Sequence, residues 1–338
     1  MSTIRDKKII VLTPVKNEAW ILERFLQVTS IFADHIIIAD QNSTDGSLEI
    51  YSRYPKVILI NNKNSKYNES DRQLLLITTA RKLFGTGNIL LAIDADEILA
   101  ANAMETMDWK RMMRAKPGTI LYFEKPTLYK NTQCVIRYDG GGWPLGYVDD
   151  GAAHLPSVIH SVRIPTPKNA EKLYLDEIKF LHYALVRLDA QASKQRMYSV
   201  LENIKKTKKL RFRRRVYNSN LDFSREGDRR ENSKMRWFKG WEEKGIDMHT
   251  VKTSKYYWYD FEVVNLLDQY GTYRFWWDDI WNFDWENFRR YGIEENLLDK
   301  SIKPIRKPSP LFLWLMKCYF QSLDYAIFTF KNLSRQQK

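Results

Sequence analysis

Ile89-Leu-Leu-Ala-Ile-Asp94-Ala-Asp-Glu97 is an apolar run that ends abruptly in carboxylates. A run this apolar reads as a strand covered on both faces, as in a mostly parallel sheet. Side chains two apart on a strand share a face, so Asp94 and Asp96 are expected to present their carboxylates to one site. That site lies at the carboxyl end of the strand, where open α/β sheets bind ligands. Two carboxylates held together there repel and lose hydration unless a cation compensates them. Hard oxygen donors suit Mg²⁺ or Mn²⁺, with substrate phosphates as further ligands.

Upstream, strand and helix patterns alternate. Lys8-Ile-Ile-Val-Leu-Thr13 reads as a first strand, and Ile21, Leu22, Phe25, Leu26 and Val28 mark a helix after the Pro14-Val-Lys-Asn-Glu18 turn. His35-Ile-Ile-Ile-Ala-Asp40 reads as a second strand, and Gln41-Asn-Ser-Thr-Asp-Gly46 is rich in turn and cap residues. A short helix through Leu48, Ile50 and Tyr51 follows, then a strand at Lys56-Val-Ile-Leu-Ile60. A helix over about residues 70–84 precedes the aspartate strand. This βαβαβαβ order predicts a right-handed, three-layer α/β fold. Glycine-rich dinucleotide and P-loop signatures are missing, so neither site is expected.

Three motifs at successive strand ends carry a resemblance: Thr13-Pro-Val-Lys-Asn-Glu18, Asp40-Gln-Asn-Ser-Thr-Asp-Gly-Ser47 and Asp94-Ala-Asp-Glu97. In these the chain resembles family-2 glycosyltransferases of the GT-A fold, a three-layer sandwich that binds nucleotide sugars. The resemblance implies that Pro14, Asn17, Glu18 and Asp40 line a nucleoside pocket. It implies that Asp96 holds Mn²⁺ or Mg²⁺ under the diphosphate, with Asp94 at the ribose or the metal's water shell. Arg72 matches a position that approaches the diphosphate, and a guanidinium fork suits phosphate oxygens. Further on, Ser157-Val-Ile-His160 and Leu181-His-Tyr183 are similar to sugar transferases of bacterial lipopolysaccharide and capsule assembly. His182 is then a candidate metal or diphosphate ligand. Ser161 departs from that pattern, in which Glu commonly follows the first His.

An attacking sugar hydroxyl must lose its proton to a base. Asp149 and Asp150, closing the glycine-rich stretch Gly140-Gly-Gly-Trp-Pro-Leu-Gly-Tyr-Val-Asp-Asp-Gly151, are the candidates, with Asp139 behind them. A paired carboxylate can have its pKa raised toward neutrality, although Asp-Asp-Gly also suits a turn. The implied reaction is inverting transfer of a hexosyl group from a nucleoside diphosphate, UDP foremost, to a glycan or lipid-linked acceptor in cell-surface polysaccharide synthesis. Two other classes remain: a nucleotidyltransferase on a related sheet, and a non-catalytic basic adaptor.

The 338 residues carry a formal charge of +13, so an anionic partner is expected. Ten cationic residues lie between Lys194 and Arg215. A membrane surface is the preferred partner, and no nucleic-acid motif accompanies them. Cys134 and Cys318 define no disulfide framework, which favours a reducing compartment. The polar start predicts no secretory signal, hence a cytoplasmic protein, peripheral on the inner face of the cytoplasmic membrane.

Residues 1–210 are expected to form the catalytic domain and residues 211–338 a mainly helical, aromatic-rich region. Seven of the eleven tryptophans lie between Arg236 and Tyr291. The spacing of Trp277, Trp281 and Trp285 predicts helical core packing, with sugar stacking as the alternative. The last apolar stretch carries Lys317, Gln321 and Asp324 on one helical face, which predicts an amphipathic helix on the bilayer or docked on the protein.

Overall fold

The computed structural model describes residues 7–61, 69–137, 141–156, 161–206, 208–217 and 229–336. The first half follows the alternating pattern: β1 (Ile9–Val15), α1 (Ala19–Phe32), β2 (His35–Asp40), α2 (Ser47–Tyr51), β3 (Val57–Asn61), α3 (Glu69–Phe84) and β4 (Ile89–Ala92). Then come β5 (Glu97–Leu99), α4 (Met107–Arg114), β6 (Ile120–Glu124), β7 (Thr127–Tyr129), β8 (Cys134–Arg137), β9 (Trp143–Val148) and β10 (Lys172–Leu185). After α5 (Leu188–Lys205) and α6 (Leu210–Val216), a short β11 (Arg229–Asn232) precedes α7 (Lys239–Glu242), α8 (Trp258–Tyr270), α9 (Trp285–Glu294) and α10 (Pro310–Gln336).

The strands form one mixed sheet in the order β11-β8-β7-β10-β6-β9-β4-β1-β2-β3, with β5 on β10. Neighbours from β4 to β3 are parallel. Beyond β4 the sheet departs from the mostly parallel arrangement expected, because β9 runs antiparallel between β4 and β6. The glycine-rich stretch is therefore partly strand. β10 pairs in parallel with β6, shifts register between Leu175 and Lys179, and continues along β7 and β5.

Alternation along the central strands builds a core on each face. Ile9, Val11 and Val15 of β1 pack with Ile21, Leu22, Phe25 and Leu26 of α1. Ile10 and Leu12 pack with Leu76, Ile77 and Ala80 of α3. Both faces are covered, which explains why these strands are continuously apolar.

The chain divides into two compact units, Met1–Arg187 with Ser224–Thr253, and Leu188–Phe223 with Ser254–Lys338. Residues 188–210, expected in the first domain, thus lie in the second unit, and residues 224–253 return to the first. Trp237 and Trp241 belong to that returning segment. Both are buried, and the Trp241 indole N–H donates to the Leu99 carbonyl at 2.7 Å.

The returning segment is also held at Asp247. Arg24 of α1 donates to the Asp247 carbonyl and, at 2.7 Å, to the Thr250 carbonyl. Burial raises the pKa of the Asp247 carboxyl, but the backbone N–H groups of Thr250 and His249 outweigh this and hold it at about 2. The contribution to stability is present above the ordinary value of 3.8 and is lost as pH falls toward 2. Asp247→Asn should therefore melt lower than wild type at pH 7, with the gap closing between pH 4 and pH 2. A gap that does not change with pH would contradict this assignment.

All described strands belong to the first unit, and the described part of the second is helical. Its centre is a buried, two-pronged ion pair from Arg196 of α5 to Asp260 of α8, at 2.8 and 2.6 Å. Trp281 and Trp285 are buried there, whereas Trp277 is 46% exposed. Trp277 and Trp281 precede α9 in turns, so the three do not share one helix. The two cysteines form no disulfide.

Candidate active site

The carboxyl ends of β1, β2 and β4 lie side by side. At the end of β1 the chain turns through Asn17 in the left-handed region, φ 55°, a conformation that Asn tolerates better than most side chains. The Asn17 N–H donates to Ser43 Oγ at 2.9 Å, and Asn17 Oδ1 accepts from the Thr44 N–H at 2.7 Å. These two bonds clamp the loops after β1 and β2 together. Pro14 pairs with Ala39 in the same ladder. Glu18, at the start of α1, accepts from the Trp20 indole N–H at 2.6 Å.

Asp40 closes β2. Its carboxylate accepts from the Ser43 N–H and from the Tyr51 hydroxyl, each at 2.9 Å, and the residue is buried. Burial, then Asp40 itself, pushes the Tyr51 hydroxyl far above its ordinary value, so that proton stays in the bond. Asp40 thereby shapes the loop after β2. Arg72 of α3 reaches the same edge and donates to Gln41 Oε1 at 3.2 Å.

The aspartate motif is rearranged relative to the strand reading. β4 stops at Ala92, and Asp94 to Glu97 form a turn closed by the Glu97 N–H to the Asp94 carbonyl at 2.9 Å. The alternation that would have aimed Asp94 and Asp96 together is lost in the turn. Asp94 is bound by Arg163, which also donates to Glu97 at 2.7 Å. Lys125 adds a second cation to Glu97 at 2.9 Å. Burial raises the Glu97 pKa, but Arg163 and Lys125 hold it well below the usual carboxylate range. Burial would lower the Arg163 pKa, and Asp94 and Glu97 reverse that, keeping it charged. The compensation that the carboxylates demand is thus supplied in large part by Arg163, from a loop 69 residues beyond Asp94.

Asp96 adds to the charge that keeps Arg163 protonated. Its Oδ2 lies 3.6 Å from Nε2 of His182, which β10 positions opposite Glu97 through the β5 pairing. The Tyr183 N–H donates to the Asp96 carbonyl at 2.8 Å, fixing the register. Both side chains are partly exposed. Neighbouring ligands on an octahedral cation at about 2.1 Å stand about 3.0 Å apart, so the 3.6 Å pair would have to close slightly to share one. Among the described residues no group of three or more His, Cys, Asp or Glu is arranged to hold a metal. His160 and Asp139 lie outside the described residues.

Asp149 and Asp150 are at the wrong end of the sheet for a base. β9 runs antiparallel to β4, so Asp149 pairs with Asn88 and Gly87, just before β4 begins. The four residues of β4 separate that point from the Asp94 end of the strand. Asp149 is buried against Arg81, with bonds at 3.0 and 2.7 Å. Asp150 accepts from Tyr147 and from the Ala152 N–H, and the Tyr147 bond leads the lowering of its pKa, the opposite of what a base requires.

No family model matches the chain, and no curated protein matches it. Among solved structures it is similar to 4-diphosphocytidyl-2C-methyl-D-erythritol synthase, at 15% identity and a TM-score of 0.27, over 43% of this chain and 70% of that one. Similarity at that level carries no argument about this chain's chemistry, which rests on its own residues.

Proposed function

We propose that the chain is a glycosyltransferase of the GT-A type that binds a nucleoside diphosphate sugar at the carboxyl ends of β1, β2 and β4. The observation that carries this reading is the facing pair Asp96 and His182, with Arg163 beside it and Arg72 at the same sheet edge. In this reading Arg72 meets diphosphate oxygens, for which a planar guanidinium fork is well shaped, while Arg163 holds Asp94 and Glu97 in place. The clamped loops around Asn17 and Ser43 form the floor for the nucleoside. Mn²⁺ or Mg²⁺ held by Asp96 and His182 would offset charge on the departing diphosphate. The bond between the anomeric carbon and the diphosphate oxygen breaks, the acceptor oxygen bonds to that carbon, and the acceptor proton passes to a base. Asp149 and Asp150 are excluded as that base by their place at the opposite end of β4.

Product analysis separates this reading from its rivals. Incubation with nucleotide sugars and glycan or lipid-linked acceptors should release a nucleoside diphosphate in step with acceptor consumption. Pyrophosphate release from a nucleoside triphosphate and a sugar phosphate would replace it with nucleotidyl transfer. Absence of nucleotide turnover, together with salt-sensitive polyanion binding, would favour the basic adaptor.

A further inference from the structure

The second unit carries an apolar face and a basic patch that the donor site does not use. α10 meets its unit on one side: Phe312 lies against Trp276 and Trp277, ring centroids 5.9 and 5.4 Å apart, and the Arg214 guanidinium sits 4.6 Å above Phe320. On the other side Leu311, Trp314, Leu315 and Tyr319 are 66, 60, 48 and 56% exposed. At 100° per residue these four span roughly 140° of the helix surface. Among the described residues no helix is long and apolar enough to cross a membrane, so this face can lie on a bilayer but not span it.

Beside it stands the basic patch. Eight of the eleven residues from Lys205 to Arg215 are cationic, and none is acidic. Arg213 pairs with Asp278 at 2.8 Å and Arg214 with Asp279 at 3.7 Å, which anchors α6. Lys206, Lys208 and Lys209, with Asn203, Arg213 and Arg274, line an open cavity of about 580 Å³. All three lysines are exposed.

We infer that this unit docks on an anionic lipid membrane, with the outward row of α10 at the headgroup–acyl boundary and the basic cavity on lipid phosphates. Charge decides between a bilayer and a second copy of the chain. A two-fold interface through α10 would bring each basic segment toward its own copy, whereas an anionic bilayer is complementary to it. Trp and Tyr on the outward row suit an interface with one apolar and one wet side. The inference does not depend on the donor chemistry.

Co-sedimentation of the full chain with vesicles tests it. Wild type should bind phosphatidylglycerol–phosphatidylcholine vesicles, bind phosphatidylcholine vesicles weakly, and lose affinity as salt rises. The triple variant Lys206→Glu, Lys208→Glu, Lys209→Glu and the double variant Trp314→Glu, Leu315→Glu should each weaken binding about tenfold or more. Both alter exposed side chains, so melting temperatures should stay at the wild-type value. No vesicle binding, or binding unchanged in both variants, would overturn the inference. So would a dimer seen by light scattering and abolished by Trp314→Glu without vesicle binding, or RNA binding in place of lipid binding.

Discussion

An Asp96→Asn enzyme is expected to lose about a thousandfold or more in turnover, with its melting temperature little changed. Loss of one charged group aimed at a developing transition-state charge costs several kcal/mol of barrier, and each 1.36 kcal/mol is about tenfold in rate. Asp96 is partly exposed and its side chain lies 3.6 Å from His182, so the substitution strands no deeply buried cation. His182→Ala should also fall, by a smaller factor, because Asp96 retains the charge. Normal turnover by Asp96→Asn in an acceptor-dependent assay would remove the aspartate from the chemistry.

Arg81→Ala is expected to unfold far more easily than wild type. Asp149 is fully buried, and Arg81 supplies its charged partner through a two-pronged contact. Removing one member of a buried pair strands the other, at a cost of about 3–5 kcal/mol. For a unit of this size that lowers the melting temperature by roughly 10 °C. Arg81→Met combined with Asp149→Leu should recover part of the loss, because no charge is then left behind. A single Arg81→Ala variant melting within about 2 °C of wild type would show that Asp149 finds water or another cation there.

The same pair shows where local sequence stops being informative. Runs such as Lys8 to Thr13 and His35 to Asp40 are short-range signals of buried parallel strands; β2 coincides with its run, and β1 runs on through Pro14 and Val15, which were expected in the turn. The direction of β9 is not a local signal. Asp149 and Asp150 look like a free acidic turn after a glycine-rich stretch, yet the antiparallel insertion of β9 between β4 and β6 carries them away from Asp94. Arg163 was illegible for a related reason. Nothing near it in sequence marks an arginine that will neutralise two carboxylates 66 and 69 residues earlier. The physical demand was legible, since the acidic cluster required a cation. Its source was not. The return of Trp237 and Trp241 to the sheet unit was hidden by composition, because an aromatic-rich segment reads alike whether it packs on strands or helices.

The most direct test of the proposed donor site is thermal stabilisation by a panel of nucleotide sugars, with and without Mn²⁺, on wild type and Asp96→Ala. A ligand at a hundred times its Kd adds about 2.7 kcal/mol of stability. The account predicts stabilisation of wild type by one donor class when Mn²⁺ is present, and its loss in Asp96→Ala. Stabilisation by no nucleotide, or an equal response in Asp96→Ala, would contradict a donor site at the end of β4.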